Sequence, residues 1–338
     1  MLTADFDYDL PPELIAQTPP ARRSMSRLLV LERRTGRIEH RRFPDIEDYL
    51  RPGDCLVVNE TKVRPARLLG RKTTGAAVEM LLLSERSQDT WEALCRPAKR
   101  LPTGAKVIFD DGLSAEVIDE SEAGKRTVRF FAAGRVSDEI MRVGRIALPP
   151  YIHEPLDNTD RYQTVFARTP GSVAAPTAGL HFTRGLLTKI KASGARVASV
   201  SLDIGLDTFR PIQVDRLEDH RMHSEDYELT EEAAAVINET KRGGGRIVAV
   251  GTTTVRTLES AGAVGSVEAG RRSTDLFIRP GFEFKMVDMM LTNFHLPKST
   301  LLVLVSAFAG RENVRRVYSE AIAEGYRFYS FGDAMLVV

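Results

Sequence analysis

The residues best suited to chemistry fall in five polar segments that interrupt or end apolar runs. The first, GSVAAPTAGLHFT (171–183), combines small residues and Pro176 with Thr177 and His181, just before an apolar helix. Small residues let a backbone approach a ligand closely, and a helix start offers unpaired N–H groups. A tight structural loop has the same pattern. The second, RIVAVGTTTVRTLES (246–260), runs an apolar strand into Thr252, Thr253 and Thr254. Their hydroxyls suit a ribose, a carboxylate or a phosphate, because ligands of α/β proteins collect where strand ends meet helix starts; an ordinary threonine cap fits equally. Neither GxxxxGK nor GxGxxG is present.

The third segment, SLDIGLDTFRP (201–211), delivers Asp203 at a strand end, where an acid binds hydroxyls or acts as a base, with Asp207 and Arg210 beyond it. In the fourth, LEDHRMHSEDYEL (217–229), His220 and His223 stand three apart, with Asp219 and Glu225 close by. Without a third convincing ligand group, ligand-contacting or helix-capping histidines fit better than a metal site. The fifth, 274–310, presents Arg279 at a Pro-Gly turn, then Asn293, His295 and Lys298 inside an otherwise apolar stretch, with Ser299 or Thr300 capping a helix.

These residues need a scaffold of alternating helices and strands. Beyond Pro149-Pro150, GLLTKIKASG, TEEAAAVINETKRGGG and TTTVRTLESAG read as helices, and ARVASVSLDIG and RIVAVG as strands. Thr230 is an N-cap and Gly194 a C-cap. The alternation predicts an α/β fold with a mostly parallel core. Before it, SRLLVLERRTGRIEHRRF forms a hairpin around Thr35-Gly36, and DCLVVNE a buried strand ending at Asn59. Between them, residues 61–149 change texture to short strands separated by Gly, Asp, Ser and Pro, which predicts a small all-β barrel. The expected organisation is a discontinuous large α/β catalytic domain, 1–60 and 150–338, with a β-barrel domain, 61–149, inserted into it.

Bulk properties narrow the class. The 338 residues carry a net charge of +1, and 37 of the 47 basic residues are arginine. Arginine favours phosphate and base contacts, and a GC-rich genome produces the same bias. Residues 20–72 hold 14 basic against 7 acidic side chains, enough to neutralise several phosphates or simply to solvate a surface. Cys55 and Cys95 form no CxxC pair, which suits a reducing cytoplasm. No apolar run approaches a membrane span, and the first residues do not read as a signal peptide. On these grounds alone, a sugar-phosphate isomerase, a glycosyltransferase or a non-catalytic RNA binder remains open.

Taken in order, the five segments, together with FDYDLPPELIAQTPP, VVNETKVRPARL and YRFYSFGDAML, resemble the S-adenosylmethionine:tRNA ribosyltransferase-isomerases of queuosine biosynthesis over nearly the whole chain. The resemblance implies a large, irregular, distorted barrel-like α/β domain with an inserted β-barrel. It also implies transfer and isomerisation of the ribosyl part of S-adenosylmethionine onto 7-aminomethyl-7-deazaguanine at the tRNA wobble position. Epoxyqueuosine-tRNA is formed, and adenine and methionine leave. S-adenosylmethionine is then a substrate, with no cofactor and no metal, in a cytoplasmic monomer.

Under that reading His181, Asp203, His223 and His295 make up the acid–base pool, with roles within it unassigned. Thr177, Thr252, Thr253, Thr254 and Asn293 contact substrate, and Arg256 and Arg279 anchor its carboxylate or phosphate. Arg22, Arg23, Lys62, Arg64 and Arg67 contact the tRNA. Two positions depart from the family pattern: Asp207 stands where glycine is common, and Thr254 where serine is.

Overall fold

The computed structural model describes residues 1–121, 124–205 and 211–338. The segment holding Asp207 and Arg210 lies outside them. The chain divides into two compact units, 1–62, 149–169 and 175–338 in one, 63–148 and 170–174 in the other.

The strands of the nine-stranded sheet and of the barrel, in chain order, are β1 (Arg27–Glu32), β2 (Arg37–Arg42), β3 (Cys55–Asn59), β4 (Arg67–Lys72), β5 (Ala77–Ser87), β6 (Thr90–Arg96), β7 (Lys106–Ile108), β8 (Ser114–Glu120), β9 (Lys125–Phe131), β10 (Arg196–Leu202), β11 (Glu225–Leu229), β12 (Ile247–Val250), β13 (Gly270–Thr274), β14 (Met289–Asn293) and β15 (Ala334–Val337). The helices are α1 (Val136–Val143), α2 (Arg184–Ala192), α3 (Glu231–Arg242), α4 (Thr252–Ala261), α5 (Thr300–Ala309) and α6 (Arg311–Ala323).

In the large unit, nine of the described strands form one sheet in the order β13-β11-β10-β3-β12-β14-β15-β1-β2. Its centre, β10-β3-β12-β14, is parallel. Strands covered on both faces must be apolar throughout, and every residue of CLVVN, IVAV, MMLTN and AMLV is buried. The outer strands β2 (RIEHRR) and β13 (GRRST) are polar and largely exposed, which discourages pairing with another chain. Among the described residues the sheet is mixed, as an irregular α/β domain requires, and its flanks are antiparallel: β1 with β2, β10 with β11, β11 with β13, and β14 with β15. Between β14 and β15 stand two helices, α5 and α6, and β15 comes back antiparallel to β14.

Leu56, Val58, Val248, Val250, Leu291 and Leu336 join Phe43, Phe182, Leu186 and Ile190 in the core on one face. Hydroxyl caps start the helices: Thr183, Thr230 and Ser299 accept from the N–H groups of Leu186, Ala233 and Leu302.

In the other unit β4 to β9 close into an antiparallel barrel, joined in the order β9-β6-β5-β4-β7-β8. Alternating burial along β5 and β8 fills it with Val78, Met80, Leu82, Ala115 and Val117. Residues 170–174, which the sequence reading had given to the large domain, pack with this unit. The Arg64 guanidinium donates to the Gly171 carbonyl at 3.0 Å and its N–H to Ser172 at 2.9 Å.

Candidate functional site

Because β10, β3, β12 and β14 run parallel, their carboxyl ends share one edge of the sheet. The register sets Val200 beside Asn59 and Val250 beside Leu291. Antiparallel β11 and β15 begin at that edge, and so does β1, parallel to β15. Ser26, Asp203, Glu225, Gly251, Asn293 and Asp333 are thereby brought level from positions scattered along the sequence.

A cavity of about 60 Å³ opens there. Thr177 and Ala178, Thr252 and Thr253, Thr292 to Leu296, Tyr151 and Tyr329 contribute to its wall. No Asp, Glu, Lys or Arg lines it among the described residues. Gly251 caps α4 at φ 89°, left-handed backbone in which glycine alone is unstrained; an added Cβ would still clear Ala178 at 3.7 Å, so conformation and not space requires it. Gly179 is needed for the opposite reason, since a Cβ there would strike Phe166 at 2.7 Å.

Asn59, fully buried, locks the neighbouring loops together. Its Oδ1 accepts from Thr61 N–H at 3.1 Å and Leu202 N–H at 3.2 Å, and its Nδ2 donates to the Leu202 carbonyl at 3.1 Å. Thr61 then donates its hydroxyl to the half-buried Asp203 carboxylate at 3.1 Å. Asp203 immediately precedes cavity-lining Ile204.

His295 enters the wall on a loop clamped by two tyrosines. Tyr8 donates to its carbonyl, and its N–H donates to the Tyr318 hydroxyl at 2.9 Å. Its Nε2 pairs with Thr292 Oγ1 at 2.7 Å, and desolvation pushes the imidazole down to about 3. Tyr329 is held at φ 69°, an uncommon conformation for a bulky residue, and its ring lies 4.8 Å from that of Tyr151.

Several expected contacts sit elsewhere. His181 is 3% exposed and is not in the cavity wall; burial pushes it down to about 4. Its Nδ1 lies 2.8 Å from Ser26 Oγ, and its Nε2 3.4 Å from Asn293 Nδ2. Thr254 turns its hydroxyl back onto the Val250 carbonyl at 2.7 Å and offers none to a ligand.

Arg256, expected to anchor an anion, is buried and ion-paired with Glu225, while its other nitrogens donate to the Leu276 and Thr274 carbonyls at 3.1 and 3.2 Å. Glu225 also faces His223 Nε2 at 3.2 Å and accepts from Gly205 N–H at 3.2 Å. Burial alone would raise its carboxyl, yet the His223 hydrogen bond and the Arg256 charge hold it below the usual range. His223 is thus tied to this buried pair and not to the cavity wall. The ring of His220 packs edge-on against Phe277 at 5.1 Å. No group of three metal-ligating side chains converges among the described residues.

Arg279 lies outside the cavity wall, 3.9 Å from a Glu218 carboxylate that also takes the Met1 ammonium at 2.7 Å. Of the five basic residues expected at tRNA, Arg22, Lys62 and Arg67 are exposed. Arg67 forms a two-pronged pair with Glu79 at 3.1 and 3.0 Å. Arg64 donates to main-chain carbonyls and lies over Trp91 at 4.5 Å. Arg23 spends its guanidinium on the carbonyls of Leu180, Asp160 and Gln163, which fastens the His181 turn.

Sequence reading missed Tyr8, Ser26, Asn59, Thr61, Tyr151, Tyr318 and Tyr329. Asn59 alone carried a signal, a polar residue ending an apolar strand.

No described helix is long and apolar enough to cross a membrane. A family profile described as queuosine biosynthesis protein matches residues 3–337. A curated relative from Symbiobacterium thermophilum, named S-adenosylmethionine:tRNA ribosyltransferase-isomerase, is 54% identical over 341 aligned residues covering all of both chains. A crystal structure of S-adenosylmethionine tRNA ribosyltransferase from Thermotoga maritima shares 42% identity, covers 99% of this chain and 100% of that one, and superposes with a TM-score of 0.58.

Proposed function

Since this chain belongs to the S-adenosylmethionine:tRNA ribosyltransferase-isomerase family of queuosine biosynthesis and is a transferase-isomerase, we propose that it transfers and isomerises the ribosyl group of S-adenosylmethionine onto 7-aminomethyl-7-deazaguanine at the wobble position of tRNA. Epoxyqueuosine-tRNA is the product, and adenine and methionine leave. The observation carrying this reading is the hydroxyl-lined cavity on the carboxyl edge of the parallel strands, which has no charged lining among the described residues. Such an edge collects nucleotide-like ligands.

In this scheme the sulfonium acidifies the adjoining ribose carbon, and Asp203, steadied by Thr61, removes that proton. Thr177, Thr252 and Thr253 orient the ribose for rearrangement, which lowers the barrier by fixing geometry in advance. The neutral His295 hydrogen-bonds the substrate in the same wall. Exposed Arg22 and Lys62 meet tRNA phosphates. S-adenosylmethionine is consumed as a substrate, so the scheme needs no resident cofactor, and the enzyme works in the cytoplasm as a monomer.

The test incubates the protein with S-adenosylmethionine and tRNA bearing the aminomethyl base, and follows free adenine. Release that requires both substrates is expected, and Asp203→Asn lowers it at least about a hundredfold. Well-folded wild type that frees no adenine sinks the reading; near-normal turnover in the variant removes Asp203 from its role.

A further inference from the structure

Asn293 is 2% exposed and forms part of the cavity wall, yet its Oδ1 is buried with no hydrogen-bond partner among the described residues. A buried acceptor left unpaired in a native fold calls for an explanation. The orientation of the amide is not arbitrary. The Tyr329 carbonyl, 3.0 Å away, can only accept, so the nitrogen must face it. The second N–H of the same nitrogen points to His181 Nε2 at 3.4 Å, which must then be the unprotonated ring nitrogen.

The opposite side of the ring agrees. Nδ1–H donates to Ser26 Oγ at 2.8 Å, and Ser26 passes its own proton to the Arg23 carbonyl at 3.3 Å. Every donor in the relay is thus spent away from Oδ1, and one acceptor remains on a residue of the cavity wall, which holds no charged side chain among the described residues. An amide oxygen in such a place suits a neutral N–H or O–H. An ammonium would call for a carboxylate there.

We propose that Asn293 Oδ1 accepts a hydrogen bond from a neutral donor on the nucleoside part of S-adenosylmethionine, and that His181 is the positioning residue that sets the amide for it. This rests on the function proposed above. The shared chemistry is a neutral donor, and it has two sources, the purine amine and a ribose hydroxyl.

Equilibrium titration with four probes separates them: adenosine, purine riboside (no amine), 2′-deoxyadenosine and 3′-deoxyadenosine. Wild type should bind adenosine about ten- to a hundredfold more tightly than the analogue lacking the relevant donor, because that analogue leaves Oδ1 unpaired. Asn293→Ala should erase that one preference. Equal affinity of wild type for all four probes overturns the proposal whether or not the variant folds, as does an unchanged preference in folded Asn293→Ala.

For His181, the Gln variant keeps an acceptor near the Nε2 position and should retain the preference, while His181→Leu should lose it. Equal ratios in these two variants overturn the positioning role. None of these ratios depends on turnover. Adenine release by wild type therefore reports separately on the proposed reaction.

Discussion

Near the cavity, some side chains are proposed to meet the ligand while others hold their neighbours still, and what separates them is whether their polar atoms are already spent within the protein. Arg256 and Glu225 are 3% and 4% exposed and satisfy one another. Removing one partner of such a pair strands the other charge in a dry interior. Arg256→Met should lose about 3–5 kcal/mol in urea unfolding. Wild-type stability with only a raised KM for S-adenosylmethionine would return Arg256 to the ligand. Tyr8 works through a main-chain carbonyl, that of His295. Tyr8→Phe should cost only about 1 kcal/mol of stability while lowering kcat for adenine release by a larger factor. Unchanged kcat would show that the loop holds its position without that bond.

At the scale of elements, the turn from β12 into α4 decides where Thr252 and Thr253 point. Gly251→Ala has room but forces φ 89° on a residue with a Cβ. It should cost about 1–2 kcal/mol and raise KM for S-adenosylmethionine, measured by thermal melts and steady-state kinetics. A variant matching wild type in both would show that the turn relaxes freely.

The same turn shows why part of the site was readable in advance. Thr252, Thr253, Asn293 and His295 stood out because each is polar at or just after the end of an apolar strand, and all four line the cavity at the sheet edge where α/β proteins collect ligands. Arg256, one helical turn further on, was misread, because its partner Glu225 lies 31 residues away on another strand. Ser26 was invisible for the same reason, standing 155 residues from His181. Periodicity gave α2, α3, α4 and the barrel strands, but not α1, which lies in the stretch read as all-β, nor α6, and so not the reversal of β15 across α5 and α6.

For the molecule as a whole, buried His181 and half-buried His295 set a limit on the acid side. Folded His181 and His295 protonate only near 4 and 3, against an ordinary value of 6.5. Below 6.5 the unfolded chain therefore takes up protons that the folded chain refuses, and stability falls as pH falls, down to about 4 for His181 and about 3 for His295. Each ring contributes up to about 1.4 kcal/mol per pH unit in its window. Glu225, with its lowered carboxyl, adds to the loss in the same direction once the unfolded carboxylate begins to protonate. Calorimetric melts from pH 7.5 to 4.5 should show a progressive drop that is shallower in His181→Gln. A flat profile would mean that neither imidazole is sealed from water as drawn.

The place of β15 in the sheet bears on when the cavity is complete. It is the last of the nine strands to be synthesised, yet it lies between β1 and β14, and Asp333 just before it receives the N–H of Arg27, 306 residues earlier. Tyr329, whose carbonyl orients Asn293, arrives with it. During synthesis, then, β1 keeps one apolar edge unfilled until β15 is made, and the cavity lacks Tyr329 and Ser330 until the same stretch arrives. Until then the unfilled edge offers its free main-chain groups as a template to any other strand, and it is the surface a chaperone would have to guard.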